Sequence, residues 1–194
     1  MCFRTYIIYA ILIGLGIDGH AGQTVKPQKD NTIYKPVPIN IAEAIIEPFW
    51  SPGLSGLDKW TVNSGEGHGL RIKQNWDVAY FEWASRPAQG PALRMYRDFN
   101  IDCAGYDRLL VHLTAPTQSI LRITAITDRG RCVFKSKPSS ENTVEHSLDL
   151  QGAKLIKTII LEIEAKADGP GAGWFSWIGL QNTEQLSKYF ALWD

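Results

Sequence analysis

RLLVHLTAPTQSILRITAITDRGRCVF, residues 108–134, carries the pattern that decides the fold. Leu109, Val111 and Leu113 alternate with Leu110, His112 and Thr114, and Leu121, Ile123 and Ala125 alternate with Arg122 and Thr124. Successive strand side chains point to opposite faces, so period-two alternation means one buried face and one amphipathic face. Asp128, Arg129 and Gly130 then turn the chain back into Cys132 and Phe134, as a glycine-bearing hairpin loop does. Two adjacent antiparallel strands are the reading.

The same rhythm extends in both directions: short runs rich in β-branched and aromatic residues, broken by Gly, Pro, Asn and Asp about every ten residues. It predicts strands over Asp58 to Val62, Gly69 to Gln74, Val78 to Ala84, Ala92 to Phe99 and Arg108 to Ala115. It continues over Ser119 to Thr127, Cys132 to Ser136, Glu145 to Leu150, Ile156 to Ala165 and Trp174 to Leu180. In the long segment near the end, Ile159, Leu161 and Ile163 take one side while Ile160, Glu162 and Glu164 take the other. Ten such strands imply an all-β chain folded as a two-sheet antiparallel β-sandwich. Asn182 or Thr183 caps a short C-terminal helix carrying Leu186, Tyr189, Phe190 and Trp193.

At the other end, Arg4 precedes an apolar run from Tyr6 to Ile17, followed by Gly19 and Ala21 at signal-peptidase spacing. Residues 1–21 therefore read as a signal peptide, with an uncleaved anchor as the competing reading. The run is short for a permanent span, and no later stretch has the ~20 apolar residues that spanning needs. A secreted, periplasmic or cell-surface protein with no transmembrane segment after cleavage is expected. Residues 22–56, with Pro27, Pro36 and Pro38, read as an extended leader, with a helical or irregular piece at Ile41 to Ile46 and turns at Pro48, Pro52, Gly53 and Gly56. Residues 57–194 then form the sandwich and its helix.

Charge is balanced, 20 basic against 20 acidic residues, with no Lys/Arg run. Nothing gathers a phosphate backbone, so nucleic acid is excluded as an expected partner. Cys103 and Cys132 remain after the export segment; an oxidising compartment allows one disulfide between them, and two buried thiols are the alternative. No Cys/His cluster offers a structural zinc site.

Seven tryptophans invite a sugar-platform reading, because the apolar face of a pyranose stacks on an aromatic ring while polar neighbours fix its hydroxyls. Each could equally be a core residue. Trp76, set among Gln74, Asn75 and Asp77, is the best exposed candidate. The polar sheet face should display Arg71, Lys73, Tyr80, Glu82, Arg94, Tyr96, Asp98, His112, Arg122 and Glu162. Arginine takes carboxylates bidentately, so an acidic sugar such as a uronic acid fits this mixture. The bland alternative is that Glu82 with Arg94, and Arg122 with Glu162, are cross-strand ion pairs on a solvated face.

Catalysis is the rival class. Glu82, Asp98 and Glu162 are the available acids for a small glycosidase, which needs carboxyl groups ~5 Å or ~6.5–9.5 Å apart. Tyr80, Tyr96 or His112 could serve a lyase as base. No nucleophile elbow or phosphate-cradling loop is present. A structural or interaction domain is a third class, in which Leu186, Phe190 and Trp193 dock to a partner or else pack on their own sandwich.

Tyr106 to Val111, the Asp128-Arg129-Gly130 turn, Ser147-Leu148-Asp149-Leu150 and the aromatic run Gly173 to Leu180 together resemble the galactose-binding-like jelly roll, over roughly residues 57–180. The chain also resembles the β-sandwich appended to secreted bacterial polysaccharide-degrading enzymes. The resemblance implies a jelly roll, carbohydrate as ligand, and a catalytic domain or enzyme as partner. It implies no cofactor beyond a structural calcium ion held by loop carbonyls and carboxylates. With the residue reading, it points to a secreted, non-catalytic carbohydrate-binding module. Trp76, Tyr80, Glu82, Arg94, Tyr96, His112, Arg122 and Glu162 are the expected ligand-binding residues.

Overall fold

The computed structural model describes residues 32–49, 56–63, 68–75, 78–138 and 145–191. Their strands are β1 (Val37–Pro38), β2 (Glu43–Pro48), β3 (Thr61–Asn63), β4 (Arg71–Asn75), β5 (Val78–Trp83) and β6 (Leu93–Asp102). β7 (Arg108–Thr114), β8 (Ser119–Thr127), β9 (Gly130–Lys135), β10 (Glu145–Asp149), β11 (Leu155–Ala165) and β12 (Gly171–Gln181) follow, and helix α1 (Thr183–Phe190) ends the described chain.

Two antiparallel sheets result. In the first, β12 pairs with β7 along one edge, and β10 lies outside β7. The other edge of β12 is divided: β5, flanked by β4, takes Gly171 to Phe175, while β2, flanked by β1, takes Trp177 to Gln181. The second sheet runs β3-β6-β11-β8-β9. The expected all-β sandwich with a short C-terminal helix is therefore the observed architecture.

The inner faces follow the alternation. Leu109, Val111, Leu113, Phe81, Phe175, Ile178 and Leu180 from the first sheet meet Leu93, Met95, Leu121, Ile123, Ile159, Leu161 and Ile163 from the second. Burying a large apolar side chain is worth about 1.5–3 kcal/mol, so this interface is the main source of stability. Phe175 sits at its centre, with ring centroids 5.4 Å from Phe81 and 6.0 Å from Phe49.

Two local expectations are corrected. Ile41 to Ile46 is not helical, and the stretch read as leader contains β1 and β2, the latter paired with β12. The register shifts opposite Ile178 and Gly179, leaving Ile46 without a partner, so the buried Ala44 and Glu47 stand three residues apart and imitate a helical period. The segment from Asp58 likewise opens as a 3-10 turn, Leu57–Lys59, before β3.

Cys103 and Cys132 are both buried free thiols, so the disulfide weighed above is not formed. The Cys103 thiol donates to the Ala153 carbonyl at 3.4 Å. Burial, reinforced by the charges of Asp128 and Asp102, pushes it up to about 12, which keeps it protonated. The Asn182 side chain caps α1 by accepting from the Gln185 N–H at 2.9 Å, and Asp107 ties the helix to the sandwich by accepting from the Thr183 N–H and hydroxyl. Tyr189 and Phe190 are exposed rather than packed on the sandwich. Among the described residues, no helix is long and apolar enough to cross a membrane.

One polar contact joins the sheets through the core. Glu47 of β2, fully buried, accepts from the Arg97 guanidinium of β6 and from Trp60 Nε1 at 3.1 Å. The guanidinium also lies over the Phe99 ring, 4.3 Å from its centroid. Removing one member of a buried pair strands the other charge in a low dielectric. Glu47→Ala is expected to cost about 3–5 kcal/mol in urea unfolding; a loss below about 1 kcal/mol would show that the clasp is solvated.

Candidate functional site

Residues expected on one polar surface lie on two opposite ones. Arg71, Lys73, Tyr80, Glu82 and His112 belong to β4, β5 and β7 of the first sheet. Arg94, Tyr96, Asp98, Arg122 and Glu162 belong to β6, β8 and β11 of the second. Alternation specifies inward or outward but carries no record of which sheet a strand joins. Trp76 lies outside the described residues.

On the first sheet, cross-strand register builds rows. One row runs Lys73, Tyr80, Trp174, Thr114, and the next runs Arg71, Glu82, Ala172. Trp174 is 41% exposed, whereas Trp60 and Trp83 are buried in the core. Beside Trp174, the Tyr80 hydroxyl donates to Glu82 Oε2 at 3.1 Å and Lys73 Nζ lies 5.6 Å from the Tyr80 ring centroid. Glu82 Oε1 is 3.9 Å from Arg71, an exposed pair that leaves the guanidinium free to meet a ligand. Trp177 stacks on His112 further along the face, with centroids 5.4 Å apart and planes within 6°.

Exposed Trp174 and half-buried Trp177 both depend on a bulge. Phe175 pairs with Leu113 and Trp177 with His112, so Ser176 is left over and both tryptophans emerge on the outer face despite their odd spacing. Regular alternation would place them on opposite faces. The signal available was the core position of Phe175 directly after Trp174.

Next to this row opens a concavity of about 570 Å³ lined by Gly69, Arg71, Glu82, Trp83, Ala84, Pro170, Gly171 and Ala172. Its floor is kept low by Gly171, where a Cβ would overlap the Trp83 indole. Its rim is tied at two places. Arg86 reaches the Lys166 carbonyl at 3.3 Å and Asp168 at 3.8 Å, while buried His68 bonds the Ala92 carbonyl at 2.6 Å and accepts from the Ala84 N–H through its own carbonyl at 3.0 Å. An exposed ring, a phenol, a carboxylate and two cations beside a shaped hollow can stack a sugar and bind its hydroxyls.

The expected Glu82 to Arg94 pair does not form, because the two lie on different sheets; Arg94 instead sits 3.5 Å from Glu162. The Arg122 to Glu162 pair is present at 3.9 Å. Glu82 is thereby separated from Asp98 and Glu162 by the sandwich core, so it cannot flank one glycosidic bond together with either of them. Among the described residues no three His, Cys, Asp or Glu side chains gather as metal ligands would.

This architecture is a two-sheet antiparallel β-sandwich. No protein-family model matches the sequence, and no curated protein does. Among solved structures, the chain is similar to the apo carbohydrate-binding module BiXyn10A CBM1, with a TM-score of 0.50, 10% identity, and 72% of this chain and 95% of that one covered. It is also similar to the family 11 module from Clostridium thermocellum in complex with a β-1,3-1,4-mixed-linked tetrasaccharide, with a TM-score of 0.46, 12% identity and 73% and 96% covered. A third similarity is to the agarase AgWH50C, with a TM-score of 0.47, 10% identity and 72% covered, but only 24% of that larger chain. At these identities the likeness concerns fold.

The hydrogen bond to Glu82, followed by burial and the Glu82 charge, raises the Tyr80 pKa above the usual phenol value. Ionising Tyr80 breaks that bond and sets two anions side by side. Glu82→Gln removes the anion and is expected to bring the Tyr80 titration, followed by the NMR shift of its ring carbon, down toward pH 10. An unchanged midpoint would mean that Glu82 does not hold the phenol.

Proposed function

We propose that this chain is a secreted, non-catalytic module that recognises a polysaccharide or other glycan on the outer face of its first sheet. The observation that carries the reading is the exposed Trp174 indole beside Tyr80, in register and adjoining the hollow lined by Arg71 and Glu82. An indole exposed beside a phenol and a carboxylate presents a flat apolar face with polar neighbours, and a pyranose face is a fitting cover. Similarity of fold to a carbohydrate-binding module at a TM-score of 0.50 agrees with this class of ligand. The Arg4-led apolar run supports export, which would place the face where polysaccharides are met.

Tyr80, Glu82 and His112 keep their proposed ligand role, with Trp174 as the stacking residue. The separation of Glu82 from Asp98 and Glu162 by the core supports binding over hydrolysis on this face.

A glycan array followed by titration calorimetry on the best hit tests the proposal. Trp174→Ala is expected to weaken binding at least about tenfold, roughly 1.4 kcal/mol, with unchanged circular dichroism. Full affinity in that variant, or new reducing ends or unsaturated uronates released from the polysaccharide, would overturn it.

A further inference from the structure

The outer face of the second sheet carries a cation-rich row that the site above does not use. Cross-strand register aligns Asn63, Arg94, Glu162, Arg122 and Lys135 across five strands, setting three cations against one carboxylate. Glu162 divides itself between two guanidiniums, with Oε1 3.5 Å from Arg94 Nε and Oε2 3.9 Å from Arg122 Nη1. Both separations exceed the 2.7–3.2 Å of an N–H···O hydrogen bond, so the forks keep unspent donors. Arg94 Nε is itself buried without a hydrogen-bond partner. Glu164 on the same face is engaged by Lys166 Nζ at 2.5 Å and also feels the charges of Lys135 and Arg122.

Arg122 also lines a groove of about 280 Å³ with Gly90, Pro91, Ile120, Glu162 and Glu164. Half-buried Pro91 offers an apolar surface beside the guanidinium, and Ile120, only 8% exposed, lies beneath it. We propose that this groove is a second glycan site, specific for a sugar bearing a compact oxyanion, a carboxylate or a sulfate ester. The sugar ring rests on Pro91 while its oxyanion takes the open donors of Arg122, with Arg94 and Lys135 adding attraction. Arginine suits this task because its planar fork matches both oxyanions bidentately. Glu162 and Glu164 make the groove selective by repelling oxyanions that cannot reach Arg122. The face lies across the core from Trp174, so the two sites can be occupied together. The inference shares only the class of ligand with the function proposed above.

The test is NMR titration of the full chain with three oligosaccharides of equal length: one neutral, one built of uronates and one sulfated. At least one anionic chain is expected to shift the amides of Ile120, Arg122 and Glu164, more weakly as salt rises, and the neutral chain to leave them unmoved. Which anionic chain acts distinguishes carboxylate from sulfate. Arg122→Gln and Arg94→Gln are each expected to lower that affinity about tenfold or more, while Trp174→Ala leaves it unchanged. No shift at these amides with either anionic chain, or a shift abolished by Trp174→Ala and kept by Arg122→Gln, would overturn the second site. Loss of neutral-glycan binding in Trp174→Ala alone reports on the first face only.

Discussion

Strand β12 must satisfy three neighbours at once, and that constraint organises the molecule. β7 follows one edge through most of its length, while β5 and β2 divide the other. A one-residue slip would turn Phe175, Ile178 and Leu180 out of the core, so the register is held by burial. Close approach is held by glycine: a Cβ at Gly173 would collide with the Thr114 carbonyl and the Phe81 ring, and one at Gly179 would meet the Ala44 carbonyl and the Trp177 ring. The Ser176 bulge then lets both Trp174 and Trp177 face outward while the core residues on either side stay inward. The proposed binding face is thus a by-product of how β12 is packed.

The inner and outer surfaces answer to different physics. Apolar area removed from water holds the two sheets together, and the Glu47–Arg97 contact adds a directional link between β2 and β6. Outside, the polar side chains pair loosely, at 3.5–3.9 Å in the Arg71, Arg94 and Arg122 contacts. Loose pairs contribute little to stability and leave donors for a ligand. A sandwich built this way can alter its recognition surface without disturbing its core, which is consistent with a shared fold at 10% identity.

The legible part of the fold was the regular part. Period two in β7, β8 and β11 named the core residues correctly, because these strands sit inside their sheets, although Leu110 and Thr124 on the other face are buried as well. β2 departs from period two at its register shift, and β12 does so between its two tryptophans, so neither stretch is legible by alternation. The candidate site was half legible: Tyr80, Glu82 and His112 were chosen for being outward and polar, and they are on the face that carries Trp174. Arg94, Tyr96, Arg122 and Glu162 were chosen by the same rule and stand on the opposite face. Sheet membership is set by long-range pairing, which no local pattern encodes.

A crystal structure with a bound oligosaccharide is the most direct test of the account. It predicts a sugar ring stacked on the Trp174 indole, with hydroxyls held by Tyr80, Glu82 or Arg71 and the chain running into the hollow over Gly171. A neutral sugar seated only at the loop edges or on the second sheet, with Trp174 bare, would contradict it.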